Sequence, residues 1–178
     1  MQNEQKIKAD RLEYVKDSKS RAVSYRAIGN VEIIDSIRTA ICGIASYDAK
    51  NEEIILNHKP RITSEDRIIK GEQIKLNYTD EVLERIFIPK NAFITSASVG
   101  YNQLNIDSSN TLISFEDRMS SKVLNGFFVN GSLDSLRLIG MASTTYHLFE
   151  DSLYKGKNLT SGDTILMRFD EKDLDDIV

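Results

Sequence analysis

Apolar side chains at every second position dominate this chain, and this spacing constrains its fold more than any other feature. The runs are Val23–Ile33, Ile37–Tyr47, Ile74–Tyr78, Ile86–Ile88 and Ile165–Phe169. Successive side chains of a strand point to opposite faces, so each run has one apolar and one mostly polar face. No window holds an apolar i, i+3, i+4 pattern of helical length. The alternation, broken by turn-forming stretches such as "DAKNEE" and "VNGS", predicts an all-β sandwich, roll or solenoid.

Part of the pattern repeats. "GEQIKLNYTDEVLERI" (Gly71–Ile86) aligns without a gap with "GDTILMRFDEKDLDDI" (Gly162–Ile177), 162 − 71 = 91 residues further on. Each copy consists of a candidate strand, a charged turn and a returning strand, which is one antiparallel hairpin. Stacked hairpins that each bury one face against the next form a quasi-one-dimensional β architecture. Convergent patterning of unrelated amphipathic hairpins remains an alternative.

The stretch "YRAIGNVEIID" (Tyr25–Asp35) keeps its alternation across Gly29-Asn30, a pair that usually marks a hairpin turn. Two later stretches, "PKNAFI" and "IGMAST", have a similar pattern, and "PKNAFI" lacks the glycine that a tight turn would favour. We therefore predict that the chain from Tyr25 to Ile33 continues through a bend as one strand. Val31 and Ile33 are expected to face the interior.

Composition excludes several classes of protein. The net charge of −4 and the pI near 5.3 make a nucleic-acid partner unfavourable. No apolar run approaches the roughly 18 residues of a membrane-spanning segment. A length of 178 residues allows one domain or at most two small ones, and we expect a single domain, 1–178. The start, "MQNEQKIKAD", lacks the apolar core of a secretory signal, so an exported form is expected to have lost its signal; a truncated carboxyl terminus is left open.

Residues with catalytic or metal-binding chemistry are few. The two histidines are expected at a turn or strand end (His58) and on the polar face of a strand (His147), and Cys42 is expected to be a small buried side chain. Neither a metal-ligand spacing nor a nucleophile or phosphate-binding motif occurs. The acidic stretches Phe115–Met119 and Phe169–Ile177 fit solvated turns better than calcium loops. The sequence therefore predicts no catalytic residue, no metal site and no cofactor.

The ordered series "IGNVEI", "ASYDAKNEEIIL", "HKPRI" and "IKGEQIKLNYTDEVLERIFIPKNAFI", followed later by "SGDTI", resembles the OstA-like family. Its members include LptA, LptC and the periplasmic domain of LptD. The resemblance covers roughly Ile7 to Ile177, with two departures: Lys90 stands where a glycine is usual and Met141 where an asparagine is usual. It implies an all-β fold, an open β-jellyroll ("β-taco") of two V-angled antiparallel sheets built from repeated hairpins.

The resemblance also implies a function. It is that of a periplasmic lipid-transport protein without enzymatic activity, which binds lipopolysaccharide or a related lipid and forms part of a bridge between the inner and outer membranes. Acyl chains would lie in the apolar interior, and copies would associate head to tail through edge strands and contact LptC-like and LptD-like proteins. Two alternatives stay open: a structural or adhesive β-solenoid without lipid cargo, and a carbohydrate-active β-helix enzyme, which would need carboxylates clustered on one sheet face.

The apolar faces supply candidate residues for lining a lipid groove. An acyl chain gains about 0.8 kcal/mol for each CH₂ group that it buries, so an aliphatic lining suffices to hold it. The same side chains could instead fill a closed core. The candidates are Ile7, Val31, Ile33, Ile41, Leu76, Tyr78, Ile86, Ile88, Ile94, Leu138, Ile165, Met167 and Phe169.

Overall fold

The computed structural model describes residues 6–16, 23–35, 37–64, 67–102, 111–170 and 173–178. These parts of the chain form fifteen β-strands and no helix, so the all-β prediction is confirmed. The strands are β1 (Lys6–Lys8), β2 (Arg11–Lys16), β3 (Val23–Ile34), β4 (Arg38–Asp48), β5 (Glu53–Asn57), β6 (Arg61–Ser64), β7 (Arg67–Lys70), β8 (Gln73–Thr79), β9 (Val82–Ile88), β10 (Ala92–Asn102), β11 (Thr111–Ser121), β12 (Val123–Val129), β13 (Ser132–Glu150), β14 (Leu153–Asp170) and β15 (Asp173–Ile177).

The strands form one sheet that divides along a line, the crease, into two antiparallel halves. Half-sheet A has the order β2, early β3, late β4, β5, β8, β9, β12, early β13, late β14, β15. Half-sheet B has the order β1, late β3, early β4, β6, β7, β10, β11, late β13, early β14. The chain zigzags between the halves, and each passage over the crease (a crossing) pairs with the crossings before and after it. The predicted β-jellyroll of repeated hairpins is confirmed.

The bend at Gly29-Asn30 shows how the crease forms. Strand β3 continues through it with left-handed backbone angles, φ of 78° at Gly29 and 45° at Asn30. The two residues face a single residue of β4, because the register steps from Ile28↔Ile44 to Val31↔Cys42. Such a bulge bends a strand, and glycine tolerates the left-handed angle because it has no Cβ. The prediction of one bent strand is thus confirmed.

Similar bends recur on alternate crossings. Backbone φ is positive at His58 and Lys59, at Asn91, and at Gly140 with Met141. The neighbouring crossing donates an amide to each of these bends, as from Gly43 to the carbonyl of His58 (3.1 Å), Glu72 to Lys90 (3.1 Å) and Lys122 to Gly140 (2.8 Å). The crease is therefore a row of hydrogen-bonded bulges, and His58 lies at a turn between strands, as predicted.

The 91-residue repeat is visible in the strand register. In the β8–β9 hairpin the pairing is irregular between Asn77 and Tyr78, where Asn77 faces Arg85 and Tyr78 faces Leu83. In the β14–β15 hairpin the same irregularity falls between Arg168 and Phe169, which face Asp176 and Leu174. Each position in the second hairpin is 91 residues after its counterpart. The two copies of the repeat therefore form hairpins with the same register and with the bulge at the same position.

Two sequence predictions about polar residues were wrong. The segment Phe115–Met119 is not a solvated turn but part of β11, and Asp117 is only 1% exposed. His147 lies in a strand, as expected, but its side chain is 10% exposed and stacks on Phe115 with ring centroids 4.5 Å apart. Asp117 accepts hydrogen bonds from the His147 amide (2.7 Å) and from Ser98 Oγ (2.5 Å), which explains how the carboxylate is tolerated in the interior.

Candidate functional site

An apolar cavity of about 140 Å³ lies between the two half-sheets. Its aliphatic and aromatic lining comes from inward-facing positions of both halves: Ile33, Ala40, Ile54, Leu56, Ile62, Ile69, Leu76, Leu83, Ile86 and Phe128. Asp35, Arg38, Ser64, Arg67 and Tyr78 complete the lining. For comparison, an apolar cavity of about 150 Å³ in another protein stays dry and binds benzene. The interior therefore has room for a small apolar group.

In half-sheet B the lining is ordered in two rows that run from strand to strand. The apolar row is formed by directly paired residues, Ile33 with Ala40, Ala40 with Ile62, and Ile62 with Ile69. Residues directly opposite each other in a ladder point to the same face, with Cβ atoms about 4.5–5.5 Å apart. These four side chains therefore form a continuous apolar band, which we call the trough floor of half-sheet B.

The second row is polar, and we call it the polar row. It lies two residues further along each strand from the apolar row, on the same face: Arg38 pairs with Ser64, Ser64 with Arg67 and Arg67 with Ser96. At its start, Arg38 Nε lies 3.1 Å from Asp35 Oδ2, and the Arg38 amide donates to Asp35 Oδ1 (2.7 Å). Asp35 and Arg38 thus neutralise each other in charge, at a partly buried position.

Tyrosines line the inner face of half-sheet A. Burial raises the pKa of Tyr78, and the nearby Arg38 charge opposes this only in part. Tyr25 packs on Tyr47 with ring centroids 5.4 Å apart, and burial, with the neighbouring tyrosines, raises its pKa to about 12. The buried Tyr25 hydroxyl has no hydrogen-bond partner within the described parts of the chain. These phenols therefore stay protonated at neutral pH and can donate hydrogen bonds.

The carboxy-terminal part of the interior is filled by side chains. Leu124, Leu138, Ile165 and Met167 are each no more than 1% exposed. None of these residues lines the cavity. The molecule thus combines a packed core toward the carboxyl terminus with an unfilled trough bounded by β3 to β9 and the end of β12.

The structure places the thirteen candidate lining residues in four groups. Those that line the cavity are Ile33, Leu76, Tyr78 and Ile86. Those buried elsewhere in the core are Val31, Ile88, Ile94, Leu138, Ile165 and Met167. Ile7 and Phe169 are partly buried and pack against the core. Ile41 is on the outer face and 44% exposed.

Ile41 was misplaced because the alternation of β4 changes phase at the crease. Ala40 lines the cavity before Gly43, and Ala45 is fully buried after it, so inward positions change from even to odd numbers. A one-residue slip moves a whole run of side chains to the other face. The sequence reasoning also missed Ile54, Leu56, Ile62 and Ile69, although the alternation of "EEIILN" and "PRITS" marks three of them.

Two absences hold for the residues that the structure describes. They contain no group of three or more His, Cys, Asp or Glu side chains placed to bind a metal ion. In the same residues no helix has the length and hydrophobicity to cross a membrane. The buried His147 Nδ1 lies 2.7 Å from Asp117 Oδ1, and Ser98 donates to this same carboxylate. Asp117 is thereby shared between a serine and a histidine, and the three groups join β10, β11 and β13.

The fold and the trough define a class of proteins: β-jellyrolls of two antiparallel halves that enclose an apolar interior. The family of LptA/(LptD N-terminal domain) LPS transport proteins matches residues 1–82. This part of the chain is therefore similar to the OstA-like LptA family. No curated protein and no solved structure matched the chain. Beyond residue 82 the same sheet continues in register, since β9 pairs with β8.

Proposed function

We propose that this protein is a periplasmic carrier of lipopolysaccharide or a related lipid, and that it forms part of a bridge between the inner and outer membranes. The observation that carries the proposal is the unfilled apolar trough in a chain whose first 82 residues match an LPS transport family. A solvent-shielded aliphatic lining holds acyl chains through the hydrophobic effect alone. The proposal therefore assigns no catalytic step to any residue.

The proposed lipid lies against the trough floor of half-sheet B and the inner face of half-sheet A. Ile33, Ile62 and Ile69 supply one wall, and Leu76 and Ile86 supply the other. Of the remaining candidates, Val31, Ile88, Ile94, Leu138, Ile165 and Met167 form the packed core that holds the halves together. A longer acyl chain would extend past the cavity only if the packed part opens.

The proposal includes head-to-tail assembly through edge strands. Within the described residues β2 pairs only with β3, and β15 pairs only with β14, so both ends of half-sheet A have an unpaired edge. Such an edge can accept a strand from another molecule. Tyr14 and Val15 on β2 are 65% and 68% exposed, which is consistent with a surface that a partner covers. LptC-like and LptD-like proteins would use the same edges.

Photocrosslinking with matched positions tests the lipid site. Phe128 lines the cavity, whereas its neighbour Phe127 is 43% exposed on the outer face. A benzoylphenylalanine at each position in turn is expected to capture lipid at Phe128 and not at Phe127, as measured by mass spectrometry of protein purified from its own host. Equal capture at the two positions, or no lipid at either, would contradict the proposal.

A further inference from the structure

We infer that Arg67 is the binding site for the anionic group, a phosphate or a carboxylate, of the amphiphile whose apolar chain lies in the trough. The inference rests on the proposed function and adds the charge of the ligand and the direction in which it inserts. It starts from the polar row, of which Arg38, Ser64 and Arg67 line the cavity next to its apolar floor. A site that is apolar on one side and cationic on the other matches an amphiphile with an anionic head.

Arg67 differs from the other arginine of the cavity. The Arg38 guanidinium is paired with Asp35, with Nε and Oδ2 3.1 Å apart. No ion pair joins Arg67 to any other residue that the structure describes, although both arginines line the same cavity. The positive charge of the described polar row is therefore concentrated at Arg67.

The neighbours of Arg67 complete the site. Its directly paired residues are Ser64 on β6 and Ser96 on β10, and Ser96 is only 9% exposed. A guanidinium offers a planar fork of N–H donors that fits two oxygens of a phosphate or carboxylate. A hydroxyl on each side can donate to the remaining oxygens. The combination of one guanidinium and two flanking hydroxyls selects anions over cationic or neutral head groups.

The direction of insertion follows from the strand. Ile69 belongs to the apolar row two residues from Arg67 toward the crease, and Ile62 pairs directly with it. With the anionic group on Arg67, the apolar chain points past these side chains toward the crease and the facing wall at Leu76. The head group stays at the margin of half-sheet B, where β6 ends at Ser64 and β7 begins at Arg67.

The test compares three twelve-carbon amphiphiles that share a tail: dodecyl phosphate, dodecyl maltoside and dodecyltrimethylammonium. Each displaces a fluorescent fatty acid from the full chain at low salt, below its micelle concentration. We expect dodecyl phosphate to bind about fivefold more tightly than the maltoside, a ratio typical of one partly exposed charged contact. In Arg67→Gln that preference should disappear, in Arg67→Lys it should partly return, and in Arg137→Gln, an exposed outer-face control, it should persist.

The outcomes separate this inference from the proposed function. Equal affinity for all three amphiphiles in the unmodified protein and in Arg67→Gln would overturn the role of Arg67 while leaving the trough a lipid site. Failure of every amphiphile to displace the probe would instead count against the proposed function. Inorganic phosphate distinguishes the source of the anion: if it competes as well as dodecyl phosphate, the site takes free phosphate and the amphiphile assignment is wrong. Glu65 and Asp66 precede Arg67 in the sequence, and their negative charges would oppose an anion nearby. The measured preference for the anionic amphiphile therefore decides whether Arg67 binds its head group.

Discussion

Enlarging Ala40 should stabilise this protein and at the same time weaken its binding of lipid. Ala40 lies in the middle of the trough floor, between Ile33 and Ile62, and faces the unfilled cavity of about 140 Å³. Leucine adds three carbons, whose burial is worth about 2.5 kcal/mol at about 0.8 kcal/mol each. Ordering the larger side chain costs about 0.5–1 kcal/mol. We therefore expect the free energy of unfolding of Ala40→Leu to rise by about 1.5 kcal/mol.

The new side chain occupies space that the lipid would use. Displacing two CH₂ groups of an acyl chain costs about 1.6 kcal/mol, so affinity should fall roughly tenfold. The control is Ala97→Leu, because Ala97 is exposed on β10 and a leucine there meets solvent. Urea unfolding, followed by circular dichroism because the chain has no tryptophan, gives the stability, and displacement of a fluorescent fatty acid gives the affinity.

Either of two results would refute this reasoning. A well-packed site answers an oversized side chain with a loss of about 1–3 kcal/mol. If Ala40→Leu is destabilised by that amount while lipid affinity is unchanged, the space beside Ala40 is not a cavity and lipid does not enter it. If Ala97→Leu changes affinity as much as Ala40→Leu does, the effect is not local to the trough.

Further predictions concern the crease, the buried carboxylate, the edge strand and the thiol. Gly29 and Gly131 share a φ near 80°, but a Cβ would meet Asp10 only at Gly29, so in urea unfolding Gly131→Ala should lose about 1 kcal/mol and Gly29→Ala more; equal losses would contradict the steric account. Asp117→Leu should lose about 3–5 kcal/mol by the same measurement, because three donors lose their acceptor, and a loss below 1 kcal/mol would show that they find other partners. Asp175→Lys on the acidic β15 edge should weaken end-to-end association about threefold in sedimentation experiments, and unchanged association would place the contact elsewhere. Burial raises the pKa of the Cys42 thiol from 9.0 to about 11, so the stability that this thiol contributes is complete below pH 9 and lost as the pH rises from 9 to 11; a native-state alkylation rate that levels off near pH 9, as for a free thiol, instead of rising further toward pH 11 would contradict this.

The sequence predicted the fold well because nearly every pairing joins neighbouring crossings. Hairpins of this kind can be recognised from local sequence patterns: the alternation, the turn residues, and the repeat of Gly71–Ile86 at Gly162–Ile177. The bend at Gly29-Asn30 could be recognised because its alternation kept the same phase. The sequence around Gly43 does not show that the alternation of β4 changes phase there. The phase changes because two residues of β3, Gly29 and Asn30, face the single residue Gly43, and Ile41 was misplaced for that reason.

The candidate site was harder to predict than the fold. Alternation identifies which side chains face inward, but not where the two halves separate enough to leave a space. Leu76 and Leu138 are equivalent by pattern, yet Leu76 lines the cavity and Leu138 is fully buried in the packed core. The polar row was missed because Arg67 and Ser64 lie in strands of only four residues, where alternation is too short to mark a polar side chain as inward-facing. The distance between half-sheets depends on packing across the whole interior, which one strand does not encode.

The zigzag of crossings has a consequence for how proteins of this type can change in size. Among the residues that the structure describes, each crossing pairs only with its two neighbours, apart from one parallel bridge at Tyr101 and Leu153. Adding or removing two successive crossings would therefore leave every remaining pairing intact and return the chain to the same margin. Such a change lengthens or shortens the trough without altering its cross-section. The reach of one molecule is then a modular property, set by the number of crossings and independent of the residues that contact its cargo.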